Sequence, residues 1–285
     1  MLNLPGVWEN FFKKVLRFSA DKPEPVSYQL ETGSLTDTGR SRPVNQDYIG
    51  LFHSSDKRDF IAVVADGMGG HQAGDIASRL AVEKIQHNFF IQLERQSPER
   101  ALRRVFEAAN SAIYAHAQRS PEYRGMGTTL VALALYESAA YFAYTGDSRI
   151  YLVRENEIKQ LTKDHTLVAE MLRQGLIDLN QAKNHPDRNI ITHAVGTRKE
   201  VFVDTSDSPI PLQIGDCFLL CSDGLYDLVD ETEMIHQVTT YAAQPACQEL
   251  VRLANDRGGH DNISVIIVKI LEMPADNKKI PITRV

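Results

Sequence analysis

The chain has 285 residues and is 43% hydrophobic, which is enough apolar material for a sizeable buried core, and its formal net charge of -6 comes from 37 acidic and 31 basic residues. So mild an imbalance neither attracts nor repels a polyanion strongly, so no nucleic-acid partner is expected, and three cysteines (Cys217, Cys221 and Cys247) with no CxxC pair indicate neither a disulfide framework nor a thiolate zinc site. No apolar run approaches the roughly 20 residues that span a bilayer, and no basic region followed by an apolar stretch and cleavage site opens the chain, so the expected location is cytoplasmic.

Residues 1–29 read as an appendage and linker. Within them, 7–18 place Trp8, Phe11, Val15 and Phe18 at helical spacing beside Lys13, Lys14 and Arg17. Such a helix suits a weak contact with a membrane surface or a partner, although packing on its own domain is the more ordinary use of so short an element. The breakers Asp21-Lys22-Pro23-Glu24-Pro25 follow.

Residues 48–52 and 60–65 read as strands, and 72–96 and 98–119 have the length and period of two long helices. Strands resume at 128–135, 139–145 and 149–153 as an antiparallel meander, with Glu155-Asn156-Glu157 as a hairpin turn. A polar helical stretch over 167–183 precedes strands at 201–205, 217–221 and 263–270, with helices at 231–241 and 245–255 between them. Strands, then a block of helices, then strands again indicate an α+β class, because a doubly wound fold would alternate them regularly. Residues 30–272 are expected to form one domain and 273–285 a C-terminal tail, and the chain contains no internal repeat.

The aspartates carry the chemistry. Asp66 ends the apolar run Val63-Val64-Ala65 and precedes Gly67, and Asp223 follows Leu219-Leu220-Cys221-Ser222 and precedes Gly224. A carboxylate at a strand end lies at the sheet edge, and glycine lets the next carbonyl approach an ion closely. Asp261 enters the last strand from the turn Arg257-Gly258-Gly259-His260, and Asp147 lies between two strands in Gly146-Asp147-Ser148-Arg149. Each Asp-Gly alone is an ordinary turn signal, but four comparable aspartates suggest a metal cluster. Oxygen donors suit Mg²⁺ or Mn²⁺, and the lack of His or Cys at ligand spacing counts against zinc. Arg40 and Arg42 stand in the loop that leads through Asn45-Gln46-Asp47 into the strand at 48–52. A guanidinium fork there matches two phosphate oxygens, while surface solvation is its common alternative.

Arg42-Pro43-Val44-Asn45-Gln46-Asp47, Asp66-Gly67-Met68-Gly69-Gly70, Gly125-Met126-Gly127-Thr128-Thr129, Gly146-Asp147-Ser148-Arg149, Leu161-Thr162-Lys163-Asp164-His165, Ile191-Thr192-His193-Ala194-Val195-Gly196, Ser222-Asp223-Gly224 and Asp261-Asn262 occur in this order. The ordered set resembles the metal-dependent protein phosphatases of the PPM family, in its bacterial serine/threonine branch, from about residue 34 to 270. The resemblance implies a four-layer α-β-β-α sandwich, in which two antiparallel sheets are flanked by helices and the metals lie in a cleft at one end. It implies hydrolysis of phosphoserine and phosphothreonine in proteins by attack of a water bridging two Mn²⁺ or Mg²⁺ ions, with no phosphoenzyme.

By the family pattern Asp66 bridges the two ions, the Gly67 carbonyl binds the first, and Asp223 and Asp261 complete the second. Arg42 corresponds to the phosphate-binding arginine, Asp47 to the carboxylate that orients water, and Asp147, with Asp223, to the holder of a weaker third ion. Residues 164–196 resemble the flap subdomain beside the cleft. Met68 stands where animal relatives place a histidine proposed as general acid, and a thioether cannot donate a proton; nearby His71 is more simply read as structural or solvated. The expected partners are phosphorylated proteins, the products of bacterial serine/threonine kinases, and the chain is expected to be a monomer. A regulatory module on a degenerate phosphatase fold, or an enzyme for small phosphate esters, are the competing readings.

Overall fold

The computed structural model describes residues 27–69 and 73–273. Alternation along its buried strands sets the layering. In β3 (Phe60–Met68), Phe60, Ala62 and Val64 point one way and Ile61, Val63 and Ala65 the other. The first set meets Val131, Leu133 and Leu135 of β5 (Leu130–Tyr136), Phe218 and Leu220 of β11 (Cys217–Cys221), and Ile266, Val268 and Ile270 of β12 (Ile263–Glu272) in a core between two sheets. The second set packs on α1 (Ala73–Leu93) and α2 (Pro98–Ala117). On the far side, Cys217, Leu219 and Cys221 with Val265 and Ile267 meet Ala246, Cys247, Leu250 and Ala254 of α7 (Ala243–Asp256). Strands apolar on both faces therefore produce four layers, α-β-β-α, and each fully buried Leu, Ile or Phe contributes about 1.5–3 kcal/mol.

One sheet runs β1-β12-β11-β7-β8, with β1 Gln29–Asp37, β7 Arg149–Arg154 and β8 Glu157–Gln160. The other runs β10-β6-β5-β3-β2, with β2 Asp47–His53, β6 Ala139–Thr145 and β10 Ile210–Pro211. The short β4 (Gly127–Thr128) and β9 (Asp204–Thr205) add to β3 and β6. All pairings are antiparallel. Helix α2 has the amphipathic period expected of it, burying Ala101, Leu102, Val105, Phe106, Ala109 and Ile113. Between the β8 and β9 strands lie two short helices, α3 (Leu167–Arg173), capped by the Thr166 hydroxyl, and α4 (Leu179–Lys183), which begins with a capping box from Asp178 and Gln181. Beyond β11 come α5 (Asp223–Tyr226) and α6 (Glu231–Thr240), the latter with a second capping box from Asp230 and Glu233.

The sandwich and the α+β class are borne out, with four local corrections. The expected meander does not stay in one sheet: β5 and β6 pair, but β7 belongs to the other sheet, so the chain crosses at residues 146–148. The hairpin turn is Glu155-Asn156, both at positive φ, and Glu157 already belongs to β8. The expected strand at 201–205 shrinks to Asp204–Thr205, because side chains take over the ladder: Thr145 Oγ1 donates to the Phe202 carbonyl at 2.7 Å and Arg103 Nη1 to that of Val203 at 3.0 Å. Finally, the helical stretch 167–183 is two helices broken by Gly175 at φ 70°. The expected helix at 7–18, His71 and the tail from 274 lie outside the described residues. No described helix is long and apolar enough to cross a membrane.

Candidate metal centre

Strand parity builds the centre. Asp66 follows Phe60, Ala62 and Val64 in facing the space between the sheets, and Asp47 is its register partner across the β2–β3 ladder, so both carboxyls lie on one face. In the other sheet Cys221 pairs with Arg149 on one side and Val265 on the other. Asp223, Asp147 and Asp261 therefore emerge together at that end of the sheet. Asp47 and Asp147 are buried, while Asp66, Asp223 and Asp261 are half-buried.

Crowding is evident in their electrostatics. Loss of water pushes the Asp66 carboxyl well above the usual range, and Asp47, Asp223, Asp147 and Asp261 push it further. Asp223 is raised in the same way by burial and by Asp147, Asp261, Asp227 and Asp47. Burial moves Asp47 up to about 6 despite hydrogen bonds from Ser264 and Ser222, and burial with nearby Asp164 moves Asp147 to about 7. Two oxygens, Asp47 Oδ1 and Asp223 Oδ1, are buried without a hydrogen-bond partner among the described residues. Buried carboxylates that repel one another and keep lone pairs unused suit a hard cation.

The backbone is clamped around these groups. The Asp66 carbonyl accepts from Thr129 N at 2.8 Å and from Thr128 Oγ1 at 2.9 Å, and Asp66 N donates to Thr129 Oγ1 at 3.1 Å. The Ser222 hydroxyl donates to Asp47 Oδ2 at 2.7 Å and accepts from Ser264 N at 3.0 Å. Both Asp-Gly glycines are sterically required: a Cβ on Gly67 would lie 2.1 Å from the Gly74 carbonyl oxygen, and one on Gly224 2.1 Å from that of Asn262. Below Asp223, Arg149 holds Asp164 through two bonds of 3.0 and 2.7 Å and lies 3.5 Å from the Tyr226 ring centroid.

Arg42 reaches this rim from the 38–46 loop. Its Nη2 donates to Asp261 Oδ2 at 2.8 Å, and the side chain remains 51% exposed, free to turn to another anion. Asn262 fixes that loop: Nδ2 donates to the Thr38 and Val44 carbonyls at 2.9 and 3.0 Å, and Oδ1 accepts from Gln46 N at 2.8 Å. Among the described residues no three Asp, Glu, His or Cys side chains stand at ligand spacing around one point. An ion here would complete its shell with the Gly67 carbonyl and water, as Mg²⁺ and similar ions ordinarily do with one or two carboxylates. The residues fit such an ion.

Arg42, Asp47, Asp66, Gly67, Asp147, Asp223 and Asp261 thus converge on one end of the sandwich, whereas Arg40 hydrogen-bonds through its backbone to the Gly259 carbonyl. Sequence reasoning missed Asp227, one helical turn beyond Asp223, where Asp227 N donates to the Asp223 carbonyl at 3.0 Å. An i,i+4 spacing in Asp223-Gly224-Leu225-Tyr226-Asp227 was the available signal. It also missed the positioning roles of Ser222, Asn262 and Asp164, which no local pattern reveals.

Residues 38–258 match the family model for Protein phosphatase 2C. The chain belongs to the protein phosphatase 2C family. The resemblance drawn from the ordered motifs is borne out. Among protein phosphatase 2C relatives, the "Serine/threonine phosphatase stp" of Listeria welshimeri is 41% identical over 238 residues, covering 82% of this chain and 93% of that protein. The crystal structure of serine/threonine phosphatase Stp1 from Staphylococcus aureus superposes with a TM-score of 0.78 at 33% identity, covering 87% of this chain and 98% of that one. The catalytic domain of the serine threonine protein phosphatase PstP, in complex with 2 manganese ions, superposes with a TM-score of 0.73 at 29% identity, covering 85% and 99%.

Proposed function

We propose that this chain hydrolyses phosphoserine and phosphothreonine in proteins, with water as the direct acceptor of the phosphoryl group. The observation that carries the reading is the set of mutually repelling carboxylates at one end of the sandwich, two of whose buried oxygens lack a partner among the described residues, rimmed by a half-exposed arginine. Asp66, the Gly67 carbonyl, Asp223 and Asp261 would hold two divalent ions, Mn²⁺ or Mg²⁺, and Asp147 with Asp223 a weaker third. A relative's catalytic domain in complex with 2 manganese ions supports that choice. When bound, such ions supply Lewis acidity, lowering the pKa of water and offsetting charge on the phosphoryl oxygens.

The chain's own groups divide the remaining work. Arg42, tied to Asp261 by one contact only, can swing its fork onto two phosphoryl oxygens. Asp47 Oδ1 is the open acceptor for a water proton, because Oδ2 is occupied by the Ser222 hydroxyl. That commitment also removes Ser222 as a nucleophile. The Cys221 thiol faces the helix side, and burial pushes its pKa far up, so it offers no thiolate. Neither side chain is placed to form a phosphoenzyme, which supports direct attack by water. Met68, at the end of β3, provides no acid for the leaving alkoxide.

The substrates are phosphoproteins, products of bacterial serine/threonine kinases. Three free, buried cysteines suit a reducing compartment, and the cytoplasm remains the expected place of action. The test is initial-rate hydrolysis of a phosphothreonine peptide and of an aryl phosphate, first with chelator and then with Mn²⁺ or Mg²⁺ restored, in wild type and Asp66→Asn. Metal-restored peptide hydrolysis that disappears in Asp66→Asn is the expected result. Inactivity on both compounds with every divalent ion would sink the enzyme reading, and activity on the aryl ester alone would sink the protein substrate.

A further inference from the structure

His165 takes no part in the chemistry above, yet it is buried at 5% exposure and makes more directed contacts than a space-filling ring needs. Its backbone N–H donates to the Gly146 carbonyl at 3.0 Å, and Gly146 N–H donates to its Nδ1 at 3.2 Å. One residue thus satisfies both backbone groups of Gly146, in the sheet-crossing turn, immediately before Asp147. Its own carbonyl accepts from Thr192 N at 2.8 Å, which joins the outgoing limb of the flap to the returning one. The ring is stacked on Tyr144 of β6 at 5.1 Å and meets the edges of His193 at 5.3 Å and Phe202 at 5.4 Å.

The tautomer follows from the geometry. A backbone amide can only donate, so Nδ1 carries the lone pair and the ring proton sits on Nε2. Nε2 lies 3.2 Å from Asp204 Oδ2, in position to donate to it. Asp204 is itself fixed opposite Tyr144 in the β6–β9 pair and accepts from the Tyr144 hydroxyl at 3.3 Å. Burial lowers the imidazole pKa against the pull of Asp204, which agrees with a neutral ring.

We propose that His165 is a positioning residue that couples the flap to the Gly146–Asp147 turn, so that the flap limbs and the Asp147 carboxyl hold or loosen together. A ring that merely filled space could be phenylalanine; a coupling residue needs an acceptor at the δ position. This separates the two roles. His165→Asn keeps an amide oxygen close to the place of Nδ1, His165→Gln moves its acceptor one bond further out, and His165→Phe keeps the stacking and loses both polar contacts.

The experiment is amide hydrogen exchange on the full chain in chelator, read at 146–147 and over 166–192, with the β5 and β11 amides as internal controls. The expected result is exchange about tenfold faster or more at both places in His165→Phe and His165→Gln, unchanged strands, and His165→Asn near wild type. Faster exchange at only one of the two places, or an Asn variant as loose as the Phe variant, would overturn the coupling. If His165→Phe does not fold, the comparison of Asn with Gln decides alone, and equal exchange in those two refutes the proposal. The inference rests on the proposed function only for its effect on turnover: the Phe variant should lose most of its Mn²⁺-supported aryl phosphate hydrolysis and the Asn variant little. A wild type without that hydrolysis would discredit the enzyme reading and leave the exchange result intact.

Discussion

Strand β11 has a buried aspartate just before it and a half-buried one just after it, and the two are treated in opposite ways. Asp216, at the start, receives Arg154 Nε and Nη2 on its two oxygens, each at 2.7 Å, and Gln213 N at 2.8 Å. Asp223, at the end, keeps one buried oxygen without a partner among the described residues and faces Asp147, Asp261, Asp227 and Asp47. A carboxylate that serves the fold brings its counter-charge in the same chain, whereas one that serves chemistry leaves that charge to be supplied.

Four experiments sharpen or break this contrast. The largest effect is expected for Asp223→Asn, a loss of at least about a thousandfold in metal-dependent turnover. In chelator the same variant should melt at a higher temperature than wild type, because it removes a charge that its neighbours repel. A lower melting temperature in calorimetry would contradict the idea of an uncompensated cluster. For Asp216→Ala the signs reverse. Urea unfolding should show a loss of about 3 kcal/mol, since Arg154 is left without its partner, with kcat per folded molecule unchanged. A kcat that drops with stability intact would place Asp216 in the chemistry instead.

Arg42→Ala comes next, with KM for an aryl phosphate raised about tenfold, kcat changed less, and stability within about 0.5 kcal/mol of wild type, as suits a half-exposed single contact. An effect confined to kcat would argue against ground-state phosphate binding. The smallest change is expected for Arg154→Lys, about 1 kcal/mol, because the charge stays and only the two-pronged geometry is lost. A loss as large as that of Asp216→Ala would mean that geometry rather than charge sustains the pair.

How much of this could be read beforehand depended on how locally each feature is encoded. The Asp-Gly steps at Asp66 and Asp223 were legible because apolar run, carboxylate and glycine lie within a few residues, although β3 runs on through Asp66 to Met68 and Asp223 opens α5 two residues after β11. Helix α2 was legible because its period repeats over 20 residues. Strand β1 was not: Glu31, Thr32, Gly33 and Ser34 have loop composition, and only the nine-residue register with β12 makes them a strand. The sheet that β7 joins was equally hidden, since no residue of Arg149–Arg154 distinguishes a third meander strand from a crossing to the other sheet. Asn262 and Ser222 escaped for the same reason, because the Asp47 carboxylate that Ser222 bonds and the 38–46 loop that Asn262 fixes lie 175 to 224 residues away.

The position of β12 has a consequence for how the molecule comes into being. It is the last described strand, yet it lies inside its sheet between β1 and β11, and Asp261 stands two residues before it. On the ribosome β1 must wait for more than two hundred residues before β12, its only strand partner among the described residues, exists. A nascent chain halted before residue 261 would lack both Asp261 and the strand that seats β1, so the carboxylates of the centre come together only after the elements between β1 and β12 have been made.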